Sequence, residues 1–153
     1  MKKNPASSFH FPIFRCGTDL VDINRIHDAI KRLGAPFLDR VFTSQEQSDC
    51  LREGRLTHSA AASLAARFAA KEAVAKALGT GFGRQGVAWT DIEIKRAADG
   101  SPHIHLSGRA LQVFDALNGL STAISLSHER HMALAFCLLT CDPAEPESQD
   151  VQA

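Results

Sequence analysis

The stretch that decides the fold runs from residue 57 to 78, THSAAASLAARFAAKEAVAKAL, with Gly79 directly behind it. It contains neither glycine nor proline, and alanine is the strongest helix former. Gly79 supplies a stop of the kind that ends helices in the left-handed conformation. The spacing therefore predicts one long helix. Its small side chains let neighbouring backbones approach closely, which places it centrally in the domain.

Working outward, Ile13–Ile23 reads as a strand broken by Gly17, and Asn24–Leu33 as a short helix stopping at Gly34. Pro36–Phe42 reads as a helical turn. A further helix to about Arg52 opens at Thr43 or Ser44, with Glu46 placed for a capping box against Thr43, and ends by Gly54. Behind the long helix comes the glycine-rich loop Gly79–Gly86. Trp89–Lys95 alternates as a half-buried strand, Asp99-Gly100 marks a hairpin turn, and His103–Leu106 is the return strand. Ser107–Asn118 reads as a helix with Ala110, Leu111, Phe114 and Leu117 inward, closed by Gly119. Thr122–Ser127 and His131–Thr140 read as two strands meeting at His128-Glu129-Arg130. This order is α+β with a mainly antiparallel sheet packed on a long central helix, and it is not an alternating βαβ chain.

The chain has 153 residues, 44% hydrophobic and 22% charged, which fits a single domain. That domain is expected over 13–140, with a loose leader at 1–12 and a disordered acidic tail at 141–153. The longest apolar run, Met132–Leu139, is too short to span a membrane, and the first residues lack the apolar core of a signal peptide. Cys16, Cys50, Cys137 and Cys141 show neither CxxC nor zinc-finger spacing, so they read as reduced thiols of a cytoplasmic protein. Seventeen basic residues balance seventeen acidic ones, but the tail holds Asp142, Glu145, Glu147 and Asp150 and nothing basic. The rest therefore carries seventeen basic against thirteen acidic residues. That excess suits an acidic partner or a phosphorylated ligand and falls short of a nucleic-acid surface.

Chemistry concentrates in three segments: GTDLVDINRI (Gly17–Ile26), RFAAKEAVAKALGTG (Arg67–Gly81) and ISLSHERHMALA (Ile124–Ala135). Asp19 interrupts an apolar strand, either as an exposed or ion-paired residue or as a ligand for a hard cation. Glu72 and Lys76 share a helix face, either as a solvated pair or, in this small-residue setting, serving a metal and a phosphate. The glycine loop is a flexible connector or a set of amides facing phosphate. It is not a Walker A loop, and no GxSxG elbow accompanies Ser127-His128. Together Asp19 and Glu72 suggest a magnesium site, with Lys76 and glycine amides facing a pyrophosphate.

With these segments in order, the chain resembles the holo-acyl-carrier-protein synthase family of 4′-phosphopantetheinyl transferases. GTDLVDINRI is similar to that family's first motif, and RFAAKEAVAKALGTG to its F-x-x-K-E-A-x-x-K-A box. GFGRQG with Trp89–Glu93, then Asp99-Gly100-Ser101-Pro102, then ISLSH are similar to the family's segments C-terminal to that box. The resemblance covers about residues 13–140 and implies that family's fold. It implies transfer of the 4′-phosphopantetheine arm from coenzyme A to a serine of an acidic apo acyl carrier protein. Asp19 and Glu72 would hold magnesium, and Lys76 would contact the transferred phosphate. Lys71, Gly79, Gly81, Gly83 and Arg84 would lie along coenzyme A. His128 would sit near the pyrophosphate, orienting water or accepting a proton. The base is left open between hydroxide at the metal, Asp19 through water, and Glu72. Arg25, with Arg32 on the same helix face, would meet the carrier. The family's short members assemble as trimers with sites between subunits. Ser101 departs from the family's usual lysine, which puts a coenzyme A contact there in doubt. The carrier, of fatty acid or polyketide synthesis, is not specified by the sequence. A non-catalytic module docking an acidic protein or nucleotide is the rival reading. A nucleic-acid-binding domain is a weaker one, with no membrane partner in view.

Overall fold

The structure, a computed structural model, describes residues 11–83 and 86–143. The elements run β1 (Ile13–Asp22), α1 (Ile23–Leu33), α2 (Ala35–Val41), α3 (Ser44–Cys50), α4 (His58–Leu78), β2 (Ile92–Arg96), β3 (Pro102–Leu106), α5 (Gly108–Ala116), β4 (Gly119–Glu129) and β5 (Met132–Cys141). Two antiparallel sheets form, one of three strands ordered β1-β5-β4 and a hairpin of β2 with β3. The expected α+β architecture is present, with the antiparallel strands divided between two sheets.

Helix α4 is the centre of the core. Fourteen of its 21 residues are buried, and they lie all round the helix rather than along one stripe. Thr57 caps its start by accepting from the Ala60 N–H, and Gly79 ends it in the left-handed region at φ 81°. The helix lies on β1 and β5, and alanine makes this packing tight. The limit is reached at Gly17 of β1, where an added Cβ would stand 2.0 Å from the Ala73 carbonyl oxygen. Only glycine lets strand and helix backbones come this close. Alternation then fixes the strand faces: Gly17, Asp19 and Val21 point toward α4, and Phe14, Cys16, Thr18 and Leu20 point away.

A second tie fixes α4 against the other layer. Thr43 and Glu46 form the expected capping box at the start of α3. The same Glu46 carboxylate accepts from Lys71 Nζ of α4 at 2.7 Å and from the Ile94 N–H of β2 at 3.0 Å. Lys71 uses its remaining donors on Val41 O at 2.8 Å and Trp89 O at 3.0 Å. Both side chains are fully buried. Burial pulls the lysine's pKa down, and the Glu46 charge opposes that pull.

Some boundaries differ from the sequence reading. Helix α3 stops at Cys50, and a single 3-10 turn covers Arg52–Gly54. Trp89–Asp91 is a 3-10 turn and not the first half of a strand. Its cause is Asp91, whose carboxylate accepts from the N–H groups of Ala88 and Arg109 and so curls the chain. Leu111, expected inward, is exposed on α5. Strand β5 runs through a buried Cys141, so the folded chain reaches beyond residue 140. The expectations for residues 1–10 and 144–153 lie outside the described residues.

Lys71→Ala leaves the Glu46 carboxylate buried without its cation, and a loss of about 3–5 kcal/mol is expected. Denaturant unfolding measures it. The double replacement Glu46→Gln with Lys71→Met, which removes both charges, should lose clearly less than Lys71→Ala.

Candidate active site

The Gly17 contact brings β1 onto the last two turns of α4, and this sets Asp19 beside Lys76 and Glu72. Lys76 Nζ donates to Asp19 Oδ1 at 2.8 Å and to Thr18 O at 2.8 Å. Glu72 lies one turn earlier on the same helix face. Burial pushes the Glu72 carboxyl above its ordinary 4.5, and the Asp19 charge pushes it further. The charges of Lys76 and Arg25 act in the opposite direction. The three residues singled out in the sequence thus form one electrostatic cluster, and Arg25 stands within its reach. Two carboxylates suit magnesium, which takes one or two of them and completes its shell with water and substrate phosphate. No group of three or more His, Cys, Asp or Glu side chains placed for a metal occurs among the described residues. The two carboxylates fit a magnesium ion that would complete its shell with water and substrate phosphate.

Other expected site residues stand elsewhere. Lys71 is a correction: with its ammonium enclosed by Glu46, Val41 O and Trp89 O, it has no face left for a ligand and acts as a structural cation. The Gly79 N–H donates to Lys76 O and Ala75 O to close the helix, and the Gly83 N–H donates to Val87 O. Neither remains for a phosphate, which corrects that expectation. Gly81 keeps an N–H without an acceptor among the described residues. Arg84 lies outside the described residues. Phe82 stacks on Trp89 with ring centroids 3.8 Å apart.

His128 is exposed near the end of β4. It pairs with Ala133, and Asp19 pairs with Ala135, so β5 lies between them. Two strand spacings and two residues put their backbones on the order of 10 Å apart. Within one chain His128 does not join the cluster.

Two concave surfaces flank these residues. Arg25 and Arg32 line one groove of about 450 Å³, with Ile26, Leu33, Phe37 and Phe68 among its apolar walls. The sequence placed both arginines on one face, and the structure adds the apolar floor. A larger cavity of about 770 Å³ is lined by Arg67, Lys95, Arg96, Pro102 and Ser125, among others. Sequence reasoning missed it because its cations come from α4 and from the β2–β3 hairpin. Arg67 sits beside Asp49 at 3.8 Å, and its Nε is buried without a hydrogen-bond partner among the described residues. An orphaned guanidinium donor in a cationic cavity suits an anion. Arg67 and Glu72 are five residues apart on α4, about 140° around the helix. The cavity and the carboxylate cluster therefore open on different faces of one chain.

A profile described as the 4′-phosphopantetheinyl transferase superfamily matches residues 15–137. The chain belongs to the 4′-phosphopantetheinyl transferase superfamily. It is 47% identical over 122 residues to a holo-[acyl-carrier-protein] synthase of Protochlamydia amoebophila, covering 80% of this chain and 93% of that one. A Rhodopseudomonas palustris protein of the same name is 44% identical over 139 residues, covering 88% and 94%. Among solved structures, the Helicobacter pylori holo-[acyl-carrier-protein] synthase in complex with coenzyme A aligns with a TM-score of 0.69. It is 32% identical, covering 81% of this chain and 98% of that chain.

A carboxyl whose folded pKa lies above its unfolded value costs stability as pH rises through that window, and the cost persists above it. For Glu72 the window begins near 4.5. In chelator-treated buffer, Glu72→Gln should therefore melt above the wild-type chain at pH 7.5, with the gap closing toward pH 4. Thermal melts across that range check it, and a gap independent of pH contradicts it.

Proposed function

We infer that this enzyme transfers the 4′-phosphopantetheine arm of coenzyme A to a serine hydroxyl of an apo acyl carrier protein. The serine oxygen forms a bond to the phosphorus next to the pantetheine. The bond to the leaving phosphate breaks, and adenosine 3′,5′-bisphosphate departs while the serine proton is lost. The observation that carries the reading is the Asp19–Glu72–Lys76 cluster, set where strand β1 and helix α4 touch. Relatives named holo-[acyl-carrier-protein] synthase and a coenzyme A complex of one of them support it.

Phosphoryl transfer asks the protein for alignment and charge neutralisation more than for covalent chemistry. Asp19 and Glu72 would hold magnesium, whose positive charge would stabilise the leaving phosphate. Lys76, half-exposed on a flexible stem, can reach a phosphate oxygen from the same side. Glu72 and, through water, Asp19 are the carboxylates within the cluster that can receive the serine proton. The groove at Arg25 and Arg32 fits an acidic helix that inserts an apolar anchor, which is the chemistry expected of the carrier. Arg25 lies between that groove and Glu72, so a docked carrier would present its serine toward the cluster.

The larger cavity fits the phosphorylated nucleotide end of coenzyme A, but it faces away from the carboxylates of its own chain. A homotrimer resolves this: one subunit supplies Asp19, Glu72 and Lys76, and its neighbour supplies the cationic cavity and His128. The outer face of the three-stranded sheet favours such assembly. Phe14, Leu20, Leu134 and Phe136 stand exposed there by 43–64%. In β1 and β5 they form one patch, since Leu20 pairs with Leu134 and Thr18 with Phe136. Contiguous apolar surface of this kind marks protein contacts. We place the enzyme in the cytoplasm, where all four cysteines, free in the structure, would stay reduced. No helix among the described residues is long and apolar enough to cross a membrane.

Mass spectrometry of an apo-carrier incubated with coenzyme A and magnesium should show addition of the phosphopantetheine mass. Asp19→Ala and Glu72→Ala should each reduce that rate by about a thousand-fold or more with the fold retained. Near wild-type turnover by either variant would remove that residue from the site. Sedimentation should show a species near three times the 16.6 kDa chain. Phe136→Asp should dissociate it and abolish transfer, and a fully active monomer would refute the shared site.

A further inference from the structure

Lys76 is 50% exposed, yet its ammonium is not simply solvated. It takes one carboxylate oxygen of Asp19 and one backbone carbonyl oxygen, Thr18 O, both at 2.8 Å. A carboxylate and a carbonyl are the oxygen donors a hard cation selects. The ammonium therefore stands in a cation position on β1. Glu72, one turn away, makes neither ion pair nor hydrogen bond among the described residues, although the Lys76 charge reaches it. Magnesium draws its oxygens to about 2.0–2.1 Å. A divalent ion on the Asp19 carboxylate at that range and an ammonium 2.8 Å from its Oδ1 would repel strongly. Lysine is suited to leave, because its charge sits at the end of a flexible four-carbon stem.

We propose that Lys76 is the resident cation of the metal-free site, and that it gives up Asp19 and Thr18 O when magnesium is taken. The proposal rests on the reading of Asp19 and Glu72 as magnesium carboxylates. In the metal-free chain, Lys76 neutralises Asp19 and holds its carboxylate toward α4. With magnesium present, the ammonium is displaced and becomes available to a phosphate oxygen of the donor. Metal loading and phosphate capture are then two positions of one side chain. A chain without magnesium presents coenzyme A with a lysine already engaged.

The test uses the full chain, labelled with nitrogen-15, with magnesium alone and no coenzyme A. Two-dimensional spectra tuned to lysine ammonium groups should show a protected Lys76 signal in chelator, absent in Asp19→Asn. That signal should vanish as magnesium saturates the protein. By calorimetry, Lys76→Met should bind magnesium about ten-fold more tightly than wild type, since a competing cation is gone. A Lys76 signal that persists at saturating magnesium overturns the proposal and leaves the metal assignment standing. So does a Lys76→Met affinity within about two-fold of wild type. Failure of the wild-type chain to bind magnesium overturns both. Backbone amide spectra of each variant report whether the fold is retained.

Discussion

The buried pair of Glu46 and Lys71 sets the rotation of α4, and the site depends on that rotation. Two charges with no exposure are tolerated only where every donor and acceptor is matched. Here they are matched: the lysine's three protons meet Glu46, Val41 O and Trp89 O, and the carboxylate also accepts from Thr43 and Ile94. A helix made mostly of alanine offers few bulky knobs to lock its orientation. One long charged side chain with three fixed acceptors does so instead. With Lys71 pointing into the α3 and β2 layer, Glu72 is turned about 100° away, toward β1.

The second constraint is the contact of Gly17 with Ala73 and Ala77. It brings a strand backbone against a helix backbone with no side chain between them. Asp19, two residues along the same face, then reaches the final turns of α4, where Lys76 and Glu72 stand. Burial of Glu72, and the Asp19 charge beside it, push the Glu72 carboxyl above its ordinary pKa. The packing that stabilises the core thus concentrates negative charge at its edge. Such a place attracts cations, and it costs the fold stability when no cation is there.

A single chain leaves this cluster facing away from its own cationic cavity. The sheet carries an apolar outer face, and α4 presents Glu72 on one side and Arg67 on another. Both features make sense together if copies meet along the sheet. In such an assembly, the surface that would be a liability in a monomer would complete the site. Phe82 stacks on Trp89, and Trp89 in turn lies against Phe68 of α4.

Much of this was legible in the sequence because it is local. Helix 57–78 is dictated by alanine content and a glycine stop, the capping box by Thr43 and Glu46 three residues apart, and the shared face of Glu72 and Lys76 by helical spacing. Asp19 was legible as a carboxylate in an apolar strand. Tertiary structure alone decided what those side chains touch. Lys71 stands beside Glu72 in sequence and looked equally available, yet it is consumed by acceptors 18 to 30 residues away. The glycine amides looked free for phosphate, but the end of α4 and the Val87 carbonyl had already taken two of them. The cavity around Arg67 is assembled from four separate segments, and no local pattern announces it. Spacing along a chain fixes which face a residue occupies. Which groups fill that face depends on long-range packing, and there the matching of buried charges and the reach of individual donors decide.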